Sequence, residues 1–253
     1  MDSFLGFESG TPIVVTGAGS GIGRALAYMA ARMGLRVGVW DINSGWASET
    51  ASRIASAGGT ALALEVDVAD EESVLRAWER TVREFGDIYH LVNNAGPASS
   101  TQRVLEEGAT LCLRCARVPT EVWLKCVPNK GTRNVVLISS VAGSRYGAAA
   151  LWYSAGKAAL LGYMRALAAE RPGNIRCNAI APDLIATPRT EAFVMASGGN
   201  QWPANPMKRV GRAEDVASAA LFLVSPAAEY INGQVLEIDG GGSVVGLAKF
   251  RGT

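Results

Sequence analysis

Short apolar runs alternate with amphipathic stretches along almost the whole chain. The runs are rich in β-branched residues and bounded by glycine or polar residues, which is typical of buried strands. We predict strands near 12–16, 36–41, 61–66, 88–93, 134–139, 174–180 and 234–238. Helical spacing of apolar residues predicts helices near 21–34, 44–57, 70–85, 103–127, 151–170 and 213–224. This alternation predicts an α/β protein with a doubly wound parallel sheet of about seven strands and helices on both faces.

A glycine-rich segment follows the first predicted strand. Residues 16–23 have the sequence TGAGSGIG, and a helical pattern begins directly after the turn. Glycines let a backbone approach a pyrophosphate closely, and a helix N-terminus offers free N–H groups and partial positive charge to an anion. The order of strand, glycine turn and helix predicts a dinucleotide site, although the spacing Gly-x-x-x-Gly-x-Gly differs from the better-known Gly-x-Gly-x-x-Gly. A glycine-rich turn without a ligand is the alternative.

The second predicted strand ends in Asp41. An acidic residue about 20 positions past the glycine turn is expected to bond the adenosine ribose hydroxyls and to repel a 2′-phosphate. The glycine turn contains no lysine or arginine before Arg24, and none stands at Ile42 or Asn43. This pattern favours NAD over NADP as cofactor. A turn or cap residue is the alternative for Asp41.

Three residues indicate chemistry on an alcohol or a carbonyl. Tyr153 and Lys157 are one helical turn apart, so they share a helix face, and Ser140 comes from the end of an apolar strand. An ammonium beside a phenol is expected to lower the phenol pKa from a reference near ~10. Such a phenol can move a proton near neutral pH, while a serine hydroxyl holds the reacting oxygen. Taken alone, a Tyr-x-x-x-Lys pair is more often a surface contact.

Composition excludes several other functions. The chain of 253 residues is 49% apolar, with a net charge of +1 and a pI near 7.6, so we expect neither nucleic acid nor an acidic partner. No apolar stretch is long enough to span a bilayer, and the N-terminus resembles no signal peptide, so cytoplasm is the default expectation. His90 is the only histidine, which argues against a histidine-based zinc site and a Ser-His-Asp hydrolase. We expect no metal, and reduced thiols at Cys112, Cys115, Cys126 and Cys177.

These motifs together resemble the short-chain dehydrogenase/reductase family, in its compact one-domain branch, over nearly the whole length. The segments TGAGSGIG at 16–23, NNAG at 93–96, ISSVAG at 138–143, YSAGK at 153–157 and NAIAP at 178–182 look like family motifs in the family's order. The resemblance implies a Rossmann-like single domain spanning 1–253, with a substrate loop near 188–210. It also implies a homodimer or tetramer, in which the helix from Leu151 pairs between subunits.

The resemblance assigns roles to individual positions. Tyr153 would be the general acid/base, Lys157 would lower its pKa and hold the nicotinamide ribose, and Ser140 would position the substrate oxygen. Asp67 and Val68 would contact the adenine ring, and Ile185 with Thr187 would hold the carboxamide. The full set of implied NAD-binding residues is Gly17, Ser20, Gly21, Ile22, Gly23, Asp41, Ile42, Asp67, Val68, Asn94, Ala95, Gly96, Tyr153, Lys157, Pro182, Ile185 and Thr187.

The chain departs from the family pattern on one helix. The family asparagine that positions a water beside the lysine belongs near 113–115, and no asparagine occurs there. Arg114 or a backbone carbonyl that holds water could replace it. Pro119 stands inside the predicted helix, where proline costs about 3 kcal/mol or more, so we expect the helix to begin, end or kink near Val118.

A second departure is Asp183, which stands where the family usually has glycine. The simplest interpretation is a solvent-facing turn residue. If its side chain points inward, its charge would favour oxidised nicotinamide and disfavour anionic substrates.

The predicted function is hydride transfer between NAD(H) and a secondary alcohol or ketone. Apolar and aromatic residues around the substrate loop, including Phe193, Trp202 and Met207 beside a Gly198-Gly199 hinge, suggest a hydrophobic or aromatic small-molecule substrate, although ordinary packing beneath a loop explains them equally. The alternatives are an acyl or sugar carbonyl reductase, and a cofactor-sensing binding protein without turnover.

Overall fold

The computed structural model describes residues 5–126, 132–145, 150–170, 175–196, 199 and 205–244. Seven parallel strands form the main sheet in the order β3-β2-β1-β4-β5-β6-β9. Their bounds are β1 Pro12–Thr16, β2 Arg36–Asp41, β3 Thr60–Glu65, β4 His90–Asn93, β5 Arg133–Ile138, β6 Ile175–Pro182 and β9 Val235–Ile238. Two further strands, β7 Ile185–Ala186 and β8 Gly211–Arg212, pair with each other.

Helices cover both faces of the sheet. Their bounds are α1 Gly21–Arg32, α2 Ser44–Ser56, α3 Glu71–Phe85, α4 Leu105–Cys126, α5 Val141–Ser144, α6 Leu151–Glu170, α7 Glu191–Ala196 and α8 Ala213–Val224, with a 3₁₀ turn at Pro226–Ala228. Successive residues of β1 point to opposite faces, so Ile13 and Val15 lie in a core with α1 and α8, whereas Val14 lies in a second core with α3, α4 and α6. This single-domain, Rossmann-like architecture confirms the predicted fold.

The strand order reverses beside β1, whose two neighbours are β2 and β4. In open α/β sheets, a crevice forms at such a point beyond the carboxyl ends of the strands. The loops that follow β1, β2, β4, β5 and β6 all emerge at this edge. The topology therefore gathers the candidate residues predicted from separate parts of the sequence.

The predicted elements agree with the observed ones to within two residues at almost every end. The short elements α5, α7, β7 and β8 were not predicted, because two to six residues are too few to show a periodic pattern. Among the helices of the described residues, none combines the length and apolar character that crossing a membrane would require.

Helix α4 corrects one expectation. It runs without interruption through Pro119, so the prediction that it begins or ends near Val118 is wrong. Proline removes one N–H donor, which leaves the carbonyl of Cys115 without its usual i+4 partner. The surrounding turn is tightly packed, since Val118 is 3% exposed and Val122 and Trp123 are fully buried. Burial of this helix face outweighs the local cost of proline.

Candidate active site

A cleft of about 730 Å³ opens at the carboxyl edge of the sheet. It is lined by all but one of the residues that the sequence proposed for the site. These are Gly17, Ser20, Gly21, Ile22, Asp41, Ile42, Asp67, Val68, Asn94, Ala95, Gly96, Ser140, Tyr153, Lys157, Pro182, Ile185 and Thr187. Gly23 is the exception, because it is buried inside α1 and does not line the cleft.

The glycine turn has the shape that a pyrophosphate needs. Gly17 and Gly21 have φ angles of 65° and 52°, which favour glycine, and a Cβ at Gly23 would lie 2.1 Å from the carbonyl oxygen of Gly17. Gly23 therefore allows α1 to pack closely against the turn. Ser20 is the N-cap of α1 but makes no side-chain capping bond, so the first N–H groups of the helix remain available to an anion. The residues present fit a dinucleotide phosphate.

Asp41 lies in the cleft beside the glycine turn. Its carboxylate is 7% exposed and accepts hydrogen bonds from the N–H of Gly19 at 2.8 Å and of Asn43 at 3.0 Å. A Cβ at residue 19 would lie 2.7 Å from Asp41 Oδ2, so glycine is required for this contact. Further lone pairs of the carboxylate remain for ribose hydroxyls.

The end of β4 is tied to the glycine turn through Thr16. Its hydroxyl oxygen accepts the N–H groups of Asn94 and Ala95, both at 3.0 Å. Asn94 Nδ2 in turn donates to the carbonyls of Thr16 and Gly17, at 3.0 and 3.2 Å. These bonds hold the two loops that border the middle of the cleft in fixed relation.

Ser140 links the ends of β5 and β6. It is the N-cap of α5, where its Oγ accepts the N–H of Ala142 at 3.2 Å, and the same hydroxyl donates to the carbonyl of Pro182 at 3.4 Å. The second bond is long. A substrate oxygen can compete for this hydroxyl, which has both a donor and acceptor capacity.

Tyr153 and Lys157 lie on the first turns of α6. The Lys157 ammonium is buried, donates to the carbonyl of Ile138 at 2.8 Å, and lies 5.5 Å from the centre of the Tyr153 ring. Trp152 packs edge-on against Tyr153, with ring centroids 5.7 Å apart, and donates from Nε1 to the carbonyl of Thr101. A phenol, an ammonium and the Ser140 hydroxyl therefore share one end of the cleft, where they can hold an alcohol or carbonyl oxygen and exchange a proton with it.

The loop after β6 closes back toward the glycine turn. The methyl carbon of Thr187 would lie 3.2 Å from a Cβ at Gly21, and the Thr187 N–H and hydroxyl both meet the Thr190 hydroxyl at 3.0 Å. The Thr190 hydroxyl also donates to the carbonyl of Ile185 at 2.5 Å. At the opposite end, Asp67 accepts the N–H of Ala69 at 2.9 Å, beside the buried Val68.

Several residues that line the cleft were missed by sequence reasoning, and those with the largest polar or aromatic side chains are Trp46, Arg103 and Arg189. Trp46 lies beside Asp41, whereas the arginines come from irregular segments without a periodic pattern. Phe193 of the predicted substrate loop does line the cleft. Of the other loop residues named from the sequence, Gly198 and Trp202 lie outside the described residues, whereas Met207 is exposed and does not line the cleft.

Asp183 contradicts its simplest interpretation. It is half-buried and lines the cleft, so the expectation of a solvent-facing residue is wrong. Its backbone N–H donates to the carbonyl of Ile238 at the end of β9, and a Cβ at Gly242 would lie 3.5 Å from its Oδ2.

The position of the missing asparagine is filled by α4 residues of a different kind. Arg114 is exposed and donates from Nε to the carbonyl of Ala69 at 2.6 Å, and it does not line the cleft. Cys115 does line it, and its carbonyl is the one that Pro119 leaves without a helical donor. Of the two replacements considered, the geometry favours a backbone carbonyl.

All four cysteines are free, and Cys112, Cys115 and Cys177 are buried whereas Cys126 is exposed. Burial raises the pKa of Cys115 to about 11 and that of Cys177 to about 12, so both remain protonated near neutral pH. Within the described ranges, no group of three or more histidine, cysteine or acidic side chains is arranged to hold a metal ion.

Comparisons with known proteins agree with this geometry. A family model described as enoyl-(acyl carrier protein) reductase matches residues 17–243. Cis-4-hydroxycyclohexanecarboxylate dehydrogenase of Sinomonas cyclohexanicum is 34% identical over 247 residues, covering 92% of this chain and 96% of the relative.

Two solved structures extend the comparison. The 3-ketoacyl-(acyl-carrier-protein) reductase of Brucella melitensis, complexed with NADH, superposes with a TM-score of 0.83 at 30% identity, covering 93% and 99% of the two chains. A putative D-mannonate oxidoreductase of Haemophilus influenza with bound NAD gives 0.84 at 26% identity, covering 93% and 96%. Fold, site and relatives define an oxidoreductase of the nicotinamide-dinucleotide class. The chain belongs to the short-chain dehydrogenase/reductase family.

Proposed function

We propose that this protein transfers a hydride between NAD(H) and a secondary alcohol or ketone with a hydrophobic or aromatic body. The main support is the convergence of Ser140, Tyr153 and Lys157 at one end of the same cleft whose other end contains the glycine turn and Asp41. A nicotinamide dinucleotide bound along this cleft would supply the hydride acceptor or donor. The cleft residues would supply binding, orientation and proton transfer.

The proton is handled by the chain's own side chains. In alcohol oxidation, the Tyr153 oxygen accepts the hydroxyl proton as the carbon loses its hydride; in carbonyl reduction, Tyr153 returns that proton to the oxygen. The Ser140 hydroxyl donates to the same substrate oxygen and orients it. The Lys157 ammonium, held at the carbonyl of Ile138, places a positive charge beside the phenol ring where negative charge develops.

The adenosine end supports NAD over NADP. The buried Asp41 carboxylate would repel a ribose 2′-phosphate. The nearest cation, Arg24, donates to the carbonyl of Gly19 at 2.7 Å and pairs with Glu49 at 3.1 Å, so its charge is already balanced. The two solved relatives contain bound NADH and NAD, respectively.

The aromatic residues near Tyr153 favour a largely apolar substrate. Trp152 packs against Tyr153, and Phe193 of α7 lines the cleft while 57% exposed, which is a large exposed fraction for an aromatic ring. The name of the Sinomonas relative gives a hydroxylated cyclohexane ring as its substrate, which supports a hydroxyl on an apolar ring here. An acyl carbonyl reductase is the second candidate, supported by the Brucella relative.

The functional unit we propose is a homo-oligomer in which α6 pairs with its copy. Its outward face is an exposed stripe of mostly small residues, Leu151, Ala155, Ala158, Gly162 and Ala166. A Cβ at Gly162 would meet nothing within 4 Å in this chain. Light scattering should show a dimer or tetramer that Gly162→Arg dissociates, whereas a monomeric wild type would exclude the proposal.

A panel of ketones tested with NADH and with NADPH decides the function. It should contain acetophenone, cyclohexanone, an acetoacetyl thioester and a ketose, and activity should be strongest with NADH and the first two. Tyr153→Phe should lower kcat by about 100-fold or more, because the proton donor is lost, while NADH affinity changes little. Tyr230→Phe, at a fully exposed tyrosine, is the matched control. Full activity in Tyr153→Phe, or binding of NADH without turnover of any ketone, would contradict the proposal.

A further inference from the structure

Two arginines that line the cleft have charges that no carboxylate among the described residues balances. Arg103 and Arg189 both line the cleft and are exposed. Neither forms an ion pair with a carboxylate of the described residues, whereas many arginines elsewhere in the described chain do. Arg189 reaches back across the cleft to donate from Nη1 to the carbonyl of Gly96 at 3.2 Å. Two arginine side chains that lack an ion pair among the described residues therefore line the same cleft.

Their position in the fold is on the β4 side of the reacting centre. Gly96, where the Arg189 guanidinium lies, and Arg103 both belong to the segment that follows β4, and Ser140 follows the neighbouring strand β5. The charge of Arg103 also reaches Cys112 and Cys115 on the inner side of α4. Burial dominates there and raises the pKa of both thiols, while Lys157 and Arg103 act in the opposite direction.

The acidic residue near the reacting end of the cleft, Asp183, lies on the β6 side. Asp183 follows β6, which is separated from β4 by β5, and neighbouring strands are about 4.8 Å apart. The ends of β4 and β6 are therefore about 10 Å apart, with the Ser140 strand between them. Arg189 itself follows β6 and β7, and its guanidinium reaches the β4 side through its bond to the carbonyl of Gly96. The guanidinium groups on the β4 side attract an anion.

We propose, resting on the proposed function, that the substrate is a hydroxy acid or the corresponding oxo acid, whose carboxylate is bound by Arg103 and Arg189. Guanidinium groups bind carboxylates through paired N–H donors. In the oxidation, the hydroxyl carbon loses a hydride to the nicotinamide and its oxygen loses a proton to Tyr153, so the carboxylate is unchanged and serves only for recognition. The charge asymmetry of the cleft orients the acid group toward β4.

The pyrophosphate of the cofactor is the other anion that these arginines could meet. The glycine turn and the N-terminus of α1 already provide a site for it beside β1. Arg103 and the Arg189 guanidinium lie after β4, at the Tyr153 end of the cleft. This separation favours the substrate, and the experiment below distinguishes the two anions.

Calorimetry on the NAD-saturated protein tests the proposal without requiring turnover. The ligands are cyclohexanecarboxylate and its neutral isostere cyclohexanecarboxamide, compared in wild type, Arg103→Gln, Arg189→Gln and Arg83→Gln. Arg83 is an exposed arginine of α3 outside the cleft and gives the same change in net charge. We expect wild type to bind the carboxylate about ten-fold more tightly than the amide, since charge-assisted hydrogen bonds exceed neutral ones by about this factor.

The variants should separate as follows. Arg103→Gln and Arg189→Gln should each reduce the preference for the carboxylate over the amide by about five-fold or more, whereas Arg83→Gln should retain it. Raising NaCl from about 0.05 M to about 0.5 M should weaken the preference in wild type. Equal binding of acid and amide by wild type, or an unchanged preference in both cleft variants, overturns the proposal. A loss of NADH affinity in these variants with the preference intact assigns the arginines to the cofactor and also overturns it. Turnover of acetophenone by wild type reports on the proposed function separately.

Discussion

The Lys157 ammonium donates a hydrogen bond of 2.8 Å to the carbonyl of Ile138, the last residue of strand β5. The Ser139 hydroxyl in turn donates a hydrogen bond to the carbonyl of Lys157, also at 2.8 Å. Helix α6, which contains Tyr153, is thus fixed to the strand that leads into Ser140. The three reacting side chains come from two elements that are joined at the site itself, so a structural bond and the proposed chemistry depend on the same lysine.

Replacing Lys157 with methionine should therefore damage both stability and activity. The carbonyl of Ile138 would lose its buried partner, which costs about 1–3 kcal/mol in the free energy of unfolding. Loss of the charge beside Tyr153 should lower kcat by about 100-fold or more. Lys125→Met is the control, because that exposed lysine makes only a surface ion pair with Glu71, worth at most about 1 kcal/mol. Urea unfolding and steady-state kinetics measure both effects, and a Lys157→Met enzyme with wild-type kcat would refute this role.

Cofactor preference should respond to the charges around Asp41. Asp41→Asn removes the charge that opposes a 2′-phosphate, while the amide oxygen can still accept one backbone N–H bond. Adding Glu49→Gln releases Arg24 from its ion pair, so that its guanidinium becomes free to meet the phosphate. We expect NADPH affinity to rise about ten-fold in the single variant and further in the double variant.

Fluorescence titration with NADH and NADPH measures this change. Glu72→Gln, at an exposed glutamate of α3, is the control for net charge and should leave both affinities as they are. If NADPH binding stayed unchanged in both Asp41 variants, the carboxylate would not be what selects the cofactor.

The close approach of α4 and α6 depends on Gly156. A Cβ at this position would lie 2.5 Å from Cys112 Cβ and 2.9 Å from its Sγ, both closer than real side chains approach. Although alanine favours a helix by about 1 kcal/mol over glycine, Gly156→Ala should destabilise the protein by about 1–3 kcal/mol because the helices must separate. Since Tyr153 and Lys157 flank this contact, kcat should fall as well.

A double-mutant cycle distinguishes this contact from a general effect. Cys112→Gly in the Gly156→Ala background moves the small residue to the other helix and should recover about 1 kcal/mol of the loss. Strict additivity of the two single changes, measured by urea unfolding, would show that the steric contact is not the cause.

The sequence predicted those parts of the site that have a local signature. The glycine turn, Asp41 and the pair Tyr153–Lys157 each follow a recognisable strand or lie on a clearly periodic helix, so their positions could be placed in advance. The positions of Arg103 and Arg189 could not be predicted, because both residues come from irregular segments, and Arg189 reaches the β4 side only through its bond to the carbonyl of Gly96. Pro119 led to a wrong prediction, because the burial of its neighbours in α4 outweighs the tendency of proline to interrupt a helix. The sequence around Gly156 does not indicate that this residue contacts Cys112 on another helix.

The single histidine predicts a defined acid sensitivity. His90 is 5% exposed, packs against the ring of Phe7, and meets Asn134 Nδ2 at Nδ1 at 3.1 Å. Burial, together with the positive charges of Arg176 and Arg133, lowers its pKa to about 3 from an ordinary 6.5. The folded protein therefore keeps His90 neutral, whereas the unfolded chain binds a proton below pH 6.5.

Stability should consequently fall as the pH drops from about 6.5 toward 3, because the unfolded state binds more protons over that interval. The contribution of His90 reaches about 1.4 kcal/mol per pH unit. His90→Gln lacks this contribution, whereas the carboxylates titrate alike in both proteins. As the pH is lowered from about 7.5 to about 4.5, the unfolding free energy of wild type should therefore fall more than that of His90→Gln. Urea titrations of both proteins over this range measure the difference. A difference that is constant with pH, or a native His90 proton resonance that titrates near pH 6.5, would show that this imidazole is not held neutral by the fold.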